Sequence, residues 1–209
     1  MNRPLFVASI LVFALSLPVA RAQNRADESA ARAQAVQLAE GKCFLCHGEK
    51  GKSISPLFPR LAGQQSAYVV AQLKAFKNQT RSDPDAVAYM YGMASLLNER
   101  MMNALGDYFQ SLEPVKAKAE PAAEVSQGKD IFNNGIPSQQ VPPCMSCHGD
   151  KATGSGLFPR LAGQHVAYLI KQLHAFKDGV RASPVMNSVA STLTDAQMQA
   201  VADYARSLP

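Results

Sequence analysis

The chain repeats itself. Cys43-Phe44-Leu45-Cys46-His47-Gly48 returns as Cys144-Met145-Ser146-Cys147-His148-Gly149. Leu57-Phe58-Pro59-Arg60-Leu61-Ala62-Gly63-Gln64 returns letter for letter at 157–164, a displacement of 100. Tyr68, Gln72-Leu73 and Ala75-Phe76-Lys77 keep that displacement, whereas Met90, Leu97 and Asp107-Tyr108 match Met186, Leu193 and Asp203-Tyr204 at 96. Self-similarity sustained over so much of a chain means one structural unit present twice. Glu113 to Ala123, with Pro114, Pro121, alternating charges and no apolar period, reads as an extended linker between the copies. The expected units are 23–113 and 125–209, joined by 114–124. Each holds about 90 residues, small enough for a bound group to serve as part of its core.

The first 22 residues stand apart. Arg3 supplies a positive start, Leu5 to Ala20 is apolar but broken by Pro18, and Ala20-Arg21-Ala22 is a small-x-small cleavage site. The expected product is an exported chain cut after Ala22. Removing Arg3 and Arg21 lowers the formal charge from +5 to +3. The remaining Lys and Arg are scattered, without an aromatic-interleaved basic stripe, which excludes nucleic acid as the partner. No uninterrupted apolar run of membrane-spanning length occurs, so a polytopic membrane protein is excluded too.

Periodicity points to helices throughout. The Ala-rich stretch from Ser29 to Glu40 leads into the first Cys. Ser66 to Lys77 places Val69, Leu73 and Phe76 on one face, and Val166 to Lys177 does the same with Leu169, Leu173 and Phe176. A last helix follows Asn98 in one copy and Thr194 in the other. Its stripe is Met102, Leu105, Phe109 and Leu112, or Met198, Val201, Ala205 and Leu208, and Thr194 with Gln197 forms a capping box. Nothing alternates with a strand period. The expected fold is all-α.

C-x-x-C-H is the attachment signature of c-type haem. Two thiols three residues apart share one helix face, where each can add to a vinyl group, and the adjacent His then projects under the iron. A zinc centre would need the two pairs to converge, yet each belongs to its own copy. A thioredoxin-like pair would need a βαβ context. A disulfide would leave the repeated His unexplained. Cys43 and Cys46, Cys144 and Cys147 are therefore read as attaching two haems, with His47 and His148 as iron ligands.

The sixth ligand decides what such an iron does. Met opposite His raises the potential and suits electron transfer; an open position suits catalysis. Met90 and Met186 stand at matching places, each seven residues before the Leu that precedes the last helix. Met145 lies inside the attachment motif and Met198 on a core stripe. Met93 competes with Met90 but aligns with Val189, so the repeat favours Met90. His165 and His174 align with Gln65 and Lys74 and are not read as ligands. Pro59 and Pro159 offer backbone carbonyls as fixed acceptors for the second ring nitrogen of each ligand histidine.

In these features the mature chain resembles the dihaem cytochrome c4 family: tandem C-x-x-C-H-G motifs, a Phe-Pro-Arg-Leu-Ala-Gly-Gln segment after each, a Tyr and Gln-Leu helix, then the Met and a Leu-(Asn/Thr)-(Glu/Asp) helix start. The resemblance implies two class I cytochrome c domains packed with haem propionates facing one another. It implies His47/Met90 and His148/Met186 as axial pairs, with Pro59 and Pro159 behind the histidines. Arg60, Arg160, Tyr68 and Tyr168 become candidates for holding propionates. Two departures stand out: four extra residues between Phe76 and Met90, which leave Met93 as an alternative ligand, and Ile136 to Pro143 ahead of Cys144, which end the second copy's first helix early.

The resemblance implies a periplasmic carrier of single electrons, from a quinol-oxidising complex or dehydrogenase to a terminal oxidase, with peripheral association with the membrane as a further reading. Such partners dock through small, wet contacts. A variant is the cytochrome subunit of a dehydrogenase, of the flavocytochrome type. The competing class is an enzyme such as a dihaem peroxidase, against which the filled Met positions argue.

Overall fold

The computed structural model describes residues 16–116 and 122–209. Most of the expected leader and the middle of the expected linker, residues 1–15 and 117–121, lie outside the described residues. In the first copy α1 spans Ser16–Leu38, α2 Phe44–His47, α3 Ser66–Lys77, α4 Tyr91–Ser95 and α5 Glu99–Ser111. In the second, α6 spans Ala122–Asn134, α7 Met145–His148, α8 Val166–Lys177, α9 Pro184–Ser191 and α10 Asp195–Ser207. No strand forms among the described residues, and β-type pairing is limited to isolated bridges. The architecture is two tandem all-α domains.

Helix α1 begins well before the expected Ser29. Residues 19–38 contain neither Gly nor Pro and are rich in Ala, Arg and Gln, so local propensity favours continuing the helix. At its other end Gly41 falls in a π-helical turn, Ala39–Cys43, that delivers the chain to α2. Helix α6 starts three residues inside the stretch read as linker.

Both cores form where the first helix of a copy meets its last. Ala31 and Ala35 of α1 pack with Met102, Leu105 and Phe109 of α5. Ile131 and Phe132 of α6 meet Val201 and Tyr204 of α10, where the Phe132 and Tyr204 rings stand edge to face at 5.5 Å. Asn98 caps α5 by accepting from Met101 N at 2.8 Å, and Thr194 with Gln197 closes the expected capping box on α10. On α8 the buried positions are Leu169, Gln172, Ala175 and Phe176, while Leu173 is half-buried. Gln172 is buried as well because α8 meets the other copy there, its side chain accepting from Arg81 at 2.8 Å, while Leu173 still packs against its own core.

The four extra residues of the first copy become one turn of helix. Helical structure runs over residues 84–95, including a π-helical turn at Ala86–Met90, against Pro184–Ser191 in the second copy. The added turn carries Asp85, whose carboxylate pairs with Lys171 of α8.

The copies are fastened by reciprocal contacts. Gln64 Nε2 donates to Arg160 O at 3.0 Å while its Oε1 accepts from Arg160 N at 2.7 Å. Gln164 makes the matching pair with Arg60 O and N, at 3.0 and 2.9 Å. Gln65 Nε2 reaches Thr153 O and His165 Nε2 reaches Ser53 O, both at 2.9 Å. The backbones of Arg81 and Arg181 form an antiparallel bridge.

Candidate functional site

Each C-x-x-C-H segment folds as one helical turn that ends at a glycine. Gly48 and Gly149 have φ of 75° and 79°, a conformation that disfavours a side chain, and a Cβ on Gly48 would crowd the Lys52 carbonyl. The turn therefore stops directly after the histidine. It leaves Cys43, Cys46 and His47, and likewise Cys144, Cys147 and His148, on the wall of a single cavity of about 770 Å³ that draws its lining from both copies.

The histidines are fixed from behind. His47 Nδ1 lies 2.9 Å from Pro59 O and His148 Nδ1 lies 3.0 Å from Pro159 O. A carbonyl only accepts, so Nδ1 carries the proton in each ring and Nε2 keeps its lone pair. Phe58 and Phe158 stand edge-on to these rings at 6.2 and 6.3 Å. Burial drives both imidazoles below their ordinary range, with the Pro59 and Pro159 carbonyls pulling the other way. Neutral imidazole is the form that can bind a metal.

Met90 and Met186 line the same cavity and are half-buried; Met90 packs against Phe76, Ala86 and Ala94. Met93 also reaches the cavity but is 41% exposed. Met102 and Met198 are fully buried in the cores. The four cysteines form no disulfide. Burial pushes the Cys43 thiol up, and that of Cys144 up to about 11. Among the described residues no three His, Cys, Asp or Glu side chains converge as a zinc centre would need.

The four residues suggested for carboxylate contacts divide. Arg60 donates from Nε to Ser53 O at 3.2 Å and from its guanidinium to Gly163 O, so its side chain is tied to backbone across the interface. Arg160 leaves Nε buried without a hydrogen bond. Tyr68 and Tyr168 accept from the other copy's arginine, Arg181 Nη2 at 2.7 Å and Arg81 Nη2 at 3.5 Å. Gln64, Gln164, Arg81 and Arg181 were not singled out from sequence as functional. Their signal was present in each case as an identical residue at the displacement of 100.

An apolar cavity, two paired thiols, a fixed imidazole and a thioether in each copy, and an orphaned Arg160 Nε form a donor set that fits haem c. Fold and site thus define a protein of two c-type haem domains. The family model for cytochrome c matches residues 31–113 and 125–209. Cytochrome c-552 of Acidithiobacillus ferridurans is 41% identical over 96% of this chain and 87% of its own length. The thiosulfate dehydrogenase electron acceptor of Thiomonas intermedia strain K12 is 37% identical over 80% of this chain and 78% of its own. The solved structure of Acidithiobacillus ferrooxidans cytochrome c4 superposes with a TM-score of 0.75 at 43% identity, covering 79% of this chain and 98% of that one. The chain belongs to the cytochrome c4 family. It is an electron-transfer protein with two covalently bound haem c groups, not an enzyme.

Proposed function

We propose that the chain works in the periplasm as a carrier of single electrons, with one haem joined to Cys43 and Cys46 and the other to Cys144 and Cys147. His47 with Met90, and His148 with Met186, would hold the two irons. The observation that carries this reading is the doubled arrangement of a Pro carbonyl behind each histidine and a methionine on the same cavity wall. The haem iron supplies a one-electron couple. The protein's part is to hold it still. Pro59 and Pro159 lock the imidazoles in the tautomer that binds metal, Phe58 and Phe158 restrict their rotation, and the Met90 and Met186 thioethers would hold the potential high once bound to iron. Apolar lining from α3, α8 and the last helices keeps water from the iron. Electrons enter from a quinol-oxidising complex or a dehydrogenase and leave to a terminal oxidase. The kinship with a thiosulfate dehydrogenase electron acceptor favours, as a second reading, a carrier that serves one such dehydrogenase.

Carbon monoxide added to the reduced protein tests the ligand assignment. The parent chain binds none, and Met90→Ala or Met186→Ala each opens one haem to it. Met93→Ala leaves the spectrum unchanged. Binding by the parent chain, or Met variants that stay closed, would overturn the axial pairs.

A further inference from the structure

A second cavity, of about 440 Å³, also draws its lining from both copies, and none of the cysteines, motif histidines or methionines reaches it. Arg60 comes from the first copy, Lys116 from the stretch between the copies, and His165 and Arg206 from the second. The rest of the wall is apolar, and among the described residues no carboxylate lines it. Glu113 comes within 3.9 Å of Lys116, but both side chains are well exposed, so water screens that pair and it neutralises little of the charge.

The cations act on one another. Burial first, and then the Arg206 charge, hold the Arg60 guanidinium below its ordinary value; burial, and then Arg60, do the same to the His165 imidazole. Like charges gathered in a recess with low-dielectric walls concentrate counter-ions there.

The equivalent place in the first copy is built differently. Ser66 N donates to Gln110 Oε1 at 2.6 Å and Ser66 Oγ to Asp107 at 2.7 Å, so α5 supplies acceptors for the start of α3. In the second copy Val166 stands at the place of Ser66 and Arg206 at that of Gln110. A guanidinium only donates, so Arg206 cannot accept from Val166 N as the glutamine accepts from Ser66 N. Val166 and Arg206 line the same cavity. The second copy has thus exchanged an acceptor for a cation at the point where α8 begins.

We infer that this cavity is a binding site for a small, doubly charged oxyanion of the sulfate or phosphate class. The guanidiniums of Arg60 and Arg206 grip it, Lys116 closes the rim, and the Val166 N–H completes the donor set. Guanidinium forks match the oxygens of such an anion, and three permanent cations favour a divalent ion over a single carboxylate or a halide. Because Arg60 and Arg206 belong to different copies, the bound ion spans them.

Isothermal titration calorimetry of the full two-haem protein with sodium sulfate, against sodium chloride at equal ionic strength, is the test. Sulfate binds saturably, one ion to each chain, and chloride gives no saturable heat. Arg206→Gln, which installs the first copy's residue, weakens sulfate binding by about tenfold or more, and Lys116→Gln weakens it several-fold. Arg100→Gln, at a cation that pairs with Asp27 rather than lining the cavity, leaves the affinity unchanged. Sulfate heats that do not saturate, chloride that binds as well, or an Arg206→Gln variant with the parent's affinity would overturn the inference. Should Arg206→Gln not fold, Lys116→Gln on the exposed rim decides alone: unchanged affinity overturns the site.

Discussion

Single residues show how the copies diverged while keeping one design. Gln65 and His165 occupy equivalent places and each reaches a carbonyl in the other copy, but only the histidine titrates near neutrality. Burial and the Arg60 guanidinium hold the His165 imidazole below its ordinary value, against the pull of the Ser53 carbonyl. The folded protein therefore takes up this proton less readily than the unfolded chain. The contribution is fully present above about pH 6.5, the unfolded value, and is lost as pH falls from there through the lowered folded value. His165→Gln, which restores the first copy's residue, should make thermal stability less steep in pH over that window. Melting curves of both proteins between neutral and mildly acid pH measure it, and parallel curves would assign the acid sensitivity elsewhere. The attachment motif, by contrast, was fully legible as residues: a thiol pair and a histidine at helical spacing carry their chemistry wherever the chain goes. The carbonyls of the two prolines were legible as acceptors for the histidines, because the repeat offered the same one twice.

At the scale of elements, α3, α8, α5 and α10 were legible from their apolar stripes and caps, and the structure reproduces α3 and α8 to the residue. The π-helical turns at Ala39–Cys43 and Ala86–Met90 were not. A turn one residue wider leaves no mark on a 3.6-residue pattern and is set by where the flanking helices must end. The early start of α1 was missed because its first turns carry no apolar stripe, only propensity. Close helix approach is another property that spacing alone conceals. Gly106 on α5 lies against Ser66 and Val70 of α3, and Gly128 on α6 lies against Ala200 and Tyr204 of α10. A Cβ at Gly128 would overlap the Ala200 carbonyl, so backbone would have to move. Gly128→Ala should destabilise the second domain by about 1–3 kcal/mol, the usual cost of overpacking. Gly92→Ala, where nothing lies within 4 Å of the new methyl, should be close to neutral. Chemical denaturation of the two variants separates these outcomes; equal midpoints would mean that α6 and α10 are not held as closely as the structure has them.

The molecule as a whole depends on contacts that no single copy contains, and these were the least legible part. Gln64 and Gln164 stood in plain view as identical letters, but an identical letter does not say whether it serves the interior of its own domain or a surface facing its twin. The reciprocal bonds answer that: each glutamine side chain satisfies both the N–H and the C=O of an arginine across the interface, and both glutamines are buried. The backbone groups they satisfy follow immediately on Pro59 and Pro159, whose carbonyls hold the histidines. Domain pairing and histidine placement therefore share one short segment in each copy. Replacing both glutamines with alanine removes the four hydrogen bonds across the interface, and the two that Gln64 and Gln164 accept from the N–H of Gln65 and His165, and strands those backbone groups, at a cost of roughly 1–3 kcal/mol for each left unsatisfied. The double variant should keep both haems yet lose the single cooperative melt, the two domains unfolding apart, and its radius of gyration by small-angle X-ray scattering should rise. Because the carbonyls of Pro59 and Pro159 belong to each copy alone, its visible spectrum should stay that of the parent protein. A variant that remains compact and melts in one step would mean that the other contacts between the copies, among them Asp85 with Lys171 and His165 with the Ser53 carbonyl, suffice to join the halves.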